Sequence, residues 1–180
     1  MILACFHRMF SIIALLAIIS CGGCTTTTAP RPVSTADATL FVIVRHAEKA
    51  TDDAKDPNLS ETGHSRAQRM AERLAVRRMT AVYATDYRRA QQTAAPTART
   101  QGLEIRTYDA STLAADFVAR LRREHSAGFV LVVGHSNTVA AIAGALCTCA
   151  VAPLREDEYD RWITITIHRN RVVELEETRY

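Results

Sequence analysis

"TLFVIVRH" (residues 39–46) and "GFVLVVGH" (residues 128–135) are built alike: each is a run rich in β-branched and other apolar residues that ends in histidine. Neither run alternates polar with apolar positions, so each is expected to be a strand covered on both faces, as in a parallel sheet flanked by helices. In such sheets ligands bind outside the carboxyl ends of the strands. If the two strands are neighbours, His46 and His135 face one crevice, with Arg45 beside the first. One histidine at a strand end is ordinary, but a pair with an arginine is a candidate site.

Outward from these two strands the pattern repeats. "LSETGHSRAQRMAERLAVR" (59–77) opens with Ser60 as a helix N-cap and Glu61 in the first turn, and sets Ala67, Met70, Ala71, Leu74 and Ala75 on one face. "MTAVYAT" (79–85) reads as a strand, "DYRRAQQTAAPTARTQ" (86–101) as a helix interrupted or kinked near Pro96, and "LEIRTYD" (103–109) as another strand. Ser111 is expected to cap a helix carrying Leu113, Phe117 and Leu121, and "SNTVAAIAGAL" (136–146) to form a helix after the second histidine. The tail "RWITITIHRNRVVELEETRY" (161–180) alternates like a half-buried antiparallel pair around "HRNR" and should close the sheet edge. Together these elements predict an α/β fold, a three-layer α/β/α sandwich with a mostly parallel sheet.

A chain of 180 residues has room for one ordinary domain. With 48% hydrophobic and 23% charged residues it has the composition of a folded protein. The net charge of +3 is small and the two signs are interspersed, which speaks against a nucleic-acid stripe. Any preference for anions must therefore be local.

The first 24 residues are of another kind. Arg8 lies just before "MFSIIALLAIIS" (9–20), an apolar run that suits a signal-peptide core and falls short of the roughly 20 residues a spanning helix needs. "GGCTTTTAPRPVSTADA" (22–38) has no apolar periodicity and reads as a flexible tether. Of the five cysteines only Cys147 and Cys149 belong to the domain, where their C-x-C spacing permits either a disulfide or two free thiols. No histidine lies near "CTCAVAP", so no metal is expected there.

"IISCGGC" (18–24) resembles the lipobox of bacterial lipoproteins, with Ile18, Ile19 and Ser20 in place before Cys21. The resemblance implies a signal peptide over 1–20, a lipidated Cys21 with its tether over 21–38, and a domain over 39–180 held at the bacterial cell envelope and facing the periplasm. Gly22 supplies no acidic retention signal, which points to the outer membrane.

Within the domain, four motifs in order resemble the histidine phosphatase superfamily, the phosphoglycerate mutase-like fold. "VRHAEK" (44–49) looks like its R-H-G-E signature. "LSETGHSRAQ" (59–68) is similar to L-[ST]-x-x-G-x-x-Q-A, with Arg66 where glutamine is common. "YATDYRRAQQTA" (83–94) resembles S-S-x-L-x-R-A-x-Q-T-A, and "VVGHSN" (132–137) resembles the V-V-G-H block. The resemblance implies that His46 is the nucleophile, forming a phosphohistidine that water later hydrolyses, with Arg45, Arg89 and His135 on the phosphoryl group. Thr85, where the family often has serine, is a further candidate phosphate donor.

The chemistry is consistent with that assignment. A phosphate ester presents a tetrahedral dianion that needs several donors. Arg45 and Arg89 offer planar forks, His135 is expected to be protonated or donating, and a helix starting near Ser136 adds backbone N–H groups. Nearby positive charge keeps the His46 imidazole unprotonated and able to attack. The leaving oxygen needs a proton, and family members commonly take it from a carboxylic acid at or beyond the third strand. Asp109 stands roughly there and Glu48 is its alternative, while Asp116 reads as a helix residue. No cofactor is expected.

The function these readings imply is a phosphomonoester hydrolase acting on a small phosphorylated substrate, with no nucleic-acid partner and with the membrane reached through Cys21. A phosphohistidine protein phosphatase and a non-catalytic phospho-ligand-binding lipoprotein are the alternatives. Arg88 is expected on the outer helix face, His64, His125 and His168 on the surface, and Trp162 in core or edge packing.

Overall fold

A computed structural model of the protein describes residues 38–180. The expected signal peptide, Cys21 and all but the last residue of the expected tether lie outside the described residues. Strands β1 (Ala38–Arg45), β2 (Ala81–Thr85), β3 (Ile105–Tyr108), β4 (Gly128–Gly134), β5 (Arg161–His168) and β6 (Val173–Arg179) form one six-stranded sheet in the order β3-β2-β4-β1-β5-β6. The pairs β1/β4, β2/β4 and β2/β3 are parallel, while β1/β5 and β5/β6 are antiparallel. The expected mostly parallel sheet with an antiparallel pair at one edge is thus present.

Four helices cover the sheet: α1 (Glu61–Ala75), α2 (Arg88–Gln101), α3 (Ala114–Glu124) and α4 (Ser136–Cys147). Alternate residues of the buried strands feed two separate cores, as a pleated strand requires. Leu40, Val42, Val44, Leu131 and Val133 pack with Met70 and Leu74 of α1 and Ala90 and Ala94 of α2. Phe41, Ile43, Val130 and Val132 pack with Leu121 of α3 and Ile142 and Leu146 of α4. This is a three-layer α/β/α sandwich, and each large side chain so buried contributes roughly 1.5–3 kcal/mol.

Several local expectations hold, and others give way to tertiary structure. Ser60 caps α1, its Oγ accepting from the Gly63 N–H at 3.1 Å. A Cβ on Gly63 would collide with the Glu48 carbonyl, so a glycine there lets the start of α1 lie against the segment after β1. Helix α2 runs through Pro96 without interruption, since its buried face of Ala90, Thr93, Ala94, Thr97 and Ala98 holds it against the sheet. Ser111 does not cap α3: the helix starts after Leu113, and the Ser111 N–H and hydroxyl both donate to Asp109. His125, expected on the surface, is buried, with Nε2 at 2.9 Å from the Tyr83 hydroxyl and its backbone carbonyl accepting from Thr39. Cys147 and Cys149 form a disulfide across Thr148, which adopts the left-handed conformation at φ 55°.

Candidate active site

The decisive geometric fact is the register of β1 on β4. Val44 faces Val133 and Arg45 faces Gly134, so His46 and His135 leave the same sheet edge side by side. The His46 N–H donates to the Gly134 carbonyl at 2.8 Å, extending the ladder by one more bond, and the two rings meet edge to face at 5.2 Å. A side chain at Gly134 would press on the Thr138 and Tyr108 hydroxyl oxygens, so the strand ends in glycine where α4 must begin close beside it. A cleft of about 250 Å³ opens over this edge, lined by Arg45, His46, Lys49, Arg89, His135 and Glu156 together with Tyr87, Ala110, Ser136 and Asn137.

His46 is oriented by its own backbone neighbour. Its Nδ1 lies 2.8 Å from the Ala47 carbonyl oxygen, which can only accept, so Nδ1 carries the proton and Nε2 carries the lone pair. Ala47 is fixed in turn: its N–H donates to Thr93 Oγ1 at 2.9 Å, and that hydroxyl donates to the Arg89 carbonyl at 2.7 Å. Burial lowers the His46 pKa to about 3, with the Ala47 bond opposing and the charges of His135, Arg45 and Arg89 reinforcing the shift. The expected direction is present, but desolvation rather than the arginines is its first cause.

His135 has the opposite tautomer. Arg89 Nη2 approaches its Nδ1 at 3.4 Å and can only donate, so Nδ1 accepts and the proton sits on Nε2, 2.8 Å from Thr85 Oγ1. Burial, then Arg89 and Arg45, lowers its pKa to about 4. His135 is therefore neutral, and of the two expected states, protonated or donating, it takes the donating one through Nε2–H. Thr85 is fully buried and its Oγ1 accepts from the His135 Nε2–H. Its part is to hold that ring, and it is not among the residues lining the cleft.

The two arginines differ as well. Arg45 is buried, with Nη1 donating to the carbonyls of Arg155 and Glu156 at 2.9 and 2.8 Å, Nη2 to the Glu156 carboxylate at 3.1 Å, and its guanidinium over the Tyr159 ring at 4.3 Å. Its Nε has no partner. Arg89, on the first turn of α2, stacks on the Tyr87 ring at 4.4 Å, pairs through Nη1 with the Asp56 carboxylate at 3.6 Å, and keeps its buried Nε without a hydrogen-bond partner. Unpaired buried donors are costly, and the two Nε groups of cleft-lining arginines beside the N-terminus of α4 make a place for an anion's oxygens. Arg88, next in sequence, points away and pairs with Asp53 and Asp56 on the surface, as expected.

Neither carboxyl singled out in the sequence reaches the cleft. Asp109 is exposed and bound to the Ser111 N–H and hydroxyl, both at 2.7 Å, and these bonds hold its pKa below the usual value. Glu48 lines a separate polar hollow and is gripped by Arg66 through Nε at 3.0 and 2.9 Å and Nη2 at 2.6 Å. Burial works to raise its pKa, but the Arg66 bonds carry it below the ordinary carboxylate value. Local sequence distance misled here, because Glu48 lies against the start of α1, its carbonyl accepting from the Ser60 N–H at 2.9 Å. Glu156, Lys49 and Tyr87 went unremarked in the sequence. The Glu156 segment, "LREDEYD" (154–160), has the composition of a solvated loop and carries no spacing that would flag it.

The sheet and its helices define a phosphoglycerate mutase-like fold, and the cleft is a cation-lined receptacle around an unprotonated histidine nitrogen. Residues 41–111 match the model of the histidine phosphatase superfamily (branch 1). That match spans less than half of the chain and takes in Arg45, His46 and Arg89. Solved structures with the same fold include an α-ribazole-5'-phosphate phosphatase, so described, from Escherichia coli K-12, at TM-score 0.64 and 16% identity over 80% of this chain and 97% of that one. A mycobacterial glucosyl-3-phosphoglycerate phosphatase aligns at TM-score 0.63 and 17% identity, covering 79% and 98% of the respective chains. The protein histidine phosphatase SixA, solved with tungstate, aligns at 0.62 and 19%, covering 78% and 96%. Comparison with curated proteins finds no match.

Proposed function

We propose that the protein is a phosphomonoester hydrolase that works through a covalent phosphohistidine on His46 and is tethered to the cell envelope by a lipid on Cys21. The observation that carries the catalytic part is the tautomer of His46. With Nδ1–H held on the Ala47 carbonyl, the Nε2 lone pair is available at neutral pH in a cleft whose arginines keep unpaired donors. Attack of Nε2 on phosphorus forms the P–N bond as the P–O bond to the leaving group breaks. Arg89 and the free Nε of Arg45 take the equatorial oxygens, and the start of α4 at Ser136 and Asn137 adds backbone donors. His135 holds Arg89 through Nδ1, and an arriving dianion favours its protonation and turns it into a donor there. Water then cleaves the P–N bond and frees phosphate. That fold-mates have been solved with tungstate and with inorganic phosphate is in keeping with an oxyanion at this place.

The test uses protein lacking residues 1–24, p-nitrophenyl phosphate and a labelled phosphoryl donor. The unaltered protein should turn over and give an acid-labile label on His46 after rapid quench. His46→Ala should lose at least about 10³-fold in kcat and all of the label, as expected on removing a nucleophile. Activity that survives His46→Ala overturns the assignment. Binding of phosphate without turnover on a broad phosphomonoester panel would instead identify a non-catalytic binding protein. For the tether, palmitate incorporation into the full chain should depend on Cys21 and processing should stop under globomycin.

A further inference from the structure

We propose that Glu156 is the acid and base of this reaction: it gives a proton to the departing oxygen and later takes one from the attacking water. The inference rests on the phosphatase reading above. It starts from an unmet need, because an alkoxide does not leave phosphorus readily without a proton. Asp109 and Glu48 are both held outside the cleft by partners of their own. Among the described residues that line the cleft, Glu156 is the one carboxylate.

Its placement suits the task. Glu156 lies in the segment between α4 and β5, whose backbone is clamped to the nucleophile's neighbour: the carbonyls of Arg155, Glu156 and Glu158 all accept from Arg45 Nη1, at 2.9, 2.8 and 3.4 Å. The backbone is thus tied to the strand end that carries His46, while the Glu156 side chain is 80% exposed and free to swing. Its Oε1 accepts from Ser136 Oγ at 2.6 Å and its Oε2 from Arg45 Nη2 at 3.1 Å. Ser136 opens α4, so the carboxylate occupies donors that a phosphoryl group also needs.

An arriving phosphoryl dianion competes for those donors. Two anionic groups on one guanidinium repel, so the carboxylate moves off Arg45 and, beside a dianion, favours its protonated form. The first step then balances: Nε2 of His46 bonds to phosphorus, the P–O bond to the leaving group breaks with its electron pair, and the Glu156 proton goes to that oxygen. In the second step water adds to phosphorus, its proton returns to the Glu156 carboxylate, and the P–N bond breaks to restore neutral His46.

The test is leaving-group dependence in Glu156→Gln, which keeps the size and polarity of the side chain and leaves the backbone clamp on Arg45 in place. The series runs from p-nitrophenyl phosphate, whose phenolate departs unaided, through phenyl phosphate to glycerol phosphate. The expected result is a loss of about 10²–10⁴-fold in kcat/KM on glycerol phosphate, with p-nitrophenyl phosphate changed only a few-fold. Glu156→Asp should recover part of the loss, and melting temperature checks that each variant is folded. An equal change across the series, or tighter inhibition by inorganic phosphate with unaltered leaving-group dependence, overturns the inference and leaves Glu156 as a competitor for the anion. In either case His46→Ala remains inactive on p-nitrophenyl phosphate and the phosphatase reading stands. If the unaltered protein turns over none of the three substrates, that reading itself falls and takes the assignment of Glu156 with it.

Discussion

The ends of β1 and β4 start from the same sequence pattern and finish with opposite chemistry. Both strands are fully buried, both deliver a histidine to one edge, and both rings are neutral. His46 puts its proton on Nδ1 because the acceptor it meets is its own neighbour's carbonyl, and so its lone pair stays on Nε2. His135 puts its proton on Nε2 because Thr85 receives it there, and its remaining lone pair faces Arg89. The proposed nucleophile and the proposed phosphate-holding residue are thus distinguished by one hydrogen bond each, from partners on different elements.

That contrast can be broken by substitution, and the His46→Ala experiment is its most severe form. The next largest effect is expected at Arg89, whose Nε is an unpaired donor and whose Nη2 lies 3.4 Å from His135 Nδ1. Arg89→Lys should cost roughly 10–150-fold in kcat/KM on p-nitrophenyl phosphate, the equivalent of about 1.5–3 kcal/mol for lost charge-assisted hydrogen bonds. An unchanged kcat/KM would show that a point charge suffices and that the fork geometry is irrelevant.

Thr85→Val sharpens the comparison further by removing the acceptor that sets the His135 tautomer at nearly constant volume. It should lower kcat about tenfold, the order of 1.4 kcal/mol per decade. As Thr85 acts through another residue, the deciding readout is nitrogen NMR of His135, which should show the Nε2–H form giving way to a mixture while His46 keeps its Nδ1–H form. A spectrum identical to that of the unaltered protein sinks the positioning role.

Stability against pH tests whether both rings are held neutral. The folded pKa values of about 3 and about 4 lie below the unfolded value of about 6.5. Between these limits the unfolded chain binds protons that the folded chain does not, so stability falls as pH drops from about 6.5 toward 4, and these groups change nothing above that range. His125, also lowered by burial, adds in the same direction. Melting temperatures taken from pH 7.5 to 4.5 should decline, and His135→Gln should flatten the slope; equal slopes in the two proteins would mean that His135 is protonated when folded.

The smallest effect is expected one residue before Arg89. Arg88→Ala removes half-exposed ion pairs to Asp53 and Asp56, so it should change stability by less than about 1 kcal/mol and leave turnover as it was. A loss comparable to that of Arg89→Lys would place both arginines in the cleft.

Much of this architecture was legible in the chain. Continuous apolar runs announced the buried strands, the cap at Ser60 and the apolar face after it announced α1, and alternation announced the β5–β6 hairpin. Arg45, His46, Arg89 and His135 were found because their motifs tie chemistry to strand ends and to a helix start. The misreadings share one cause, which is that each needed a partner distant in sequence. Thr85 looked available until His135 was laid beside it, Glu48 looked close until Arg66 drew it away, and Pro96 looked like a break until the buried face of α2 held through it. His125 read as surface because the Tyr83 ring that receives it lies on another strand.

The sequence by itself determined which elements form and which residue types stand at the crevice, since period, capping and motif spacing are properties of short stretches. Tertiary structure decided which ring nitrogen bears a proton, which arginine keeps its donors free and which carboxylate enters the cleft. Those are matters of hydrogen-bond partnership and burial between elements far apart in the chain, where low polarity and fixed geometry set the protonation state and no local pattern records the partner.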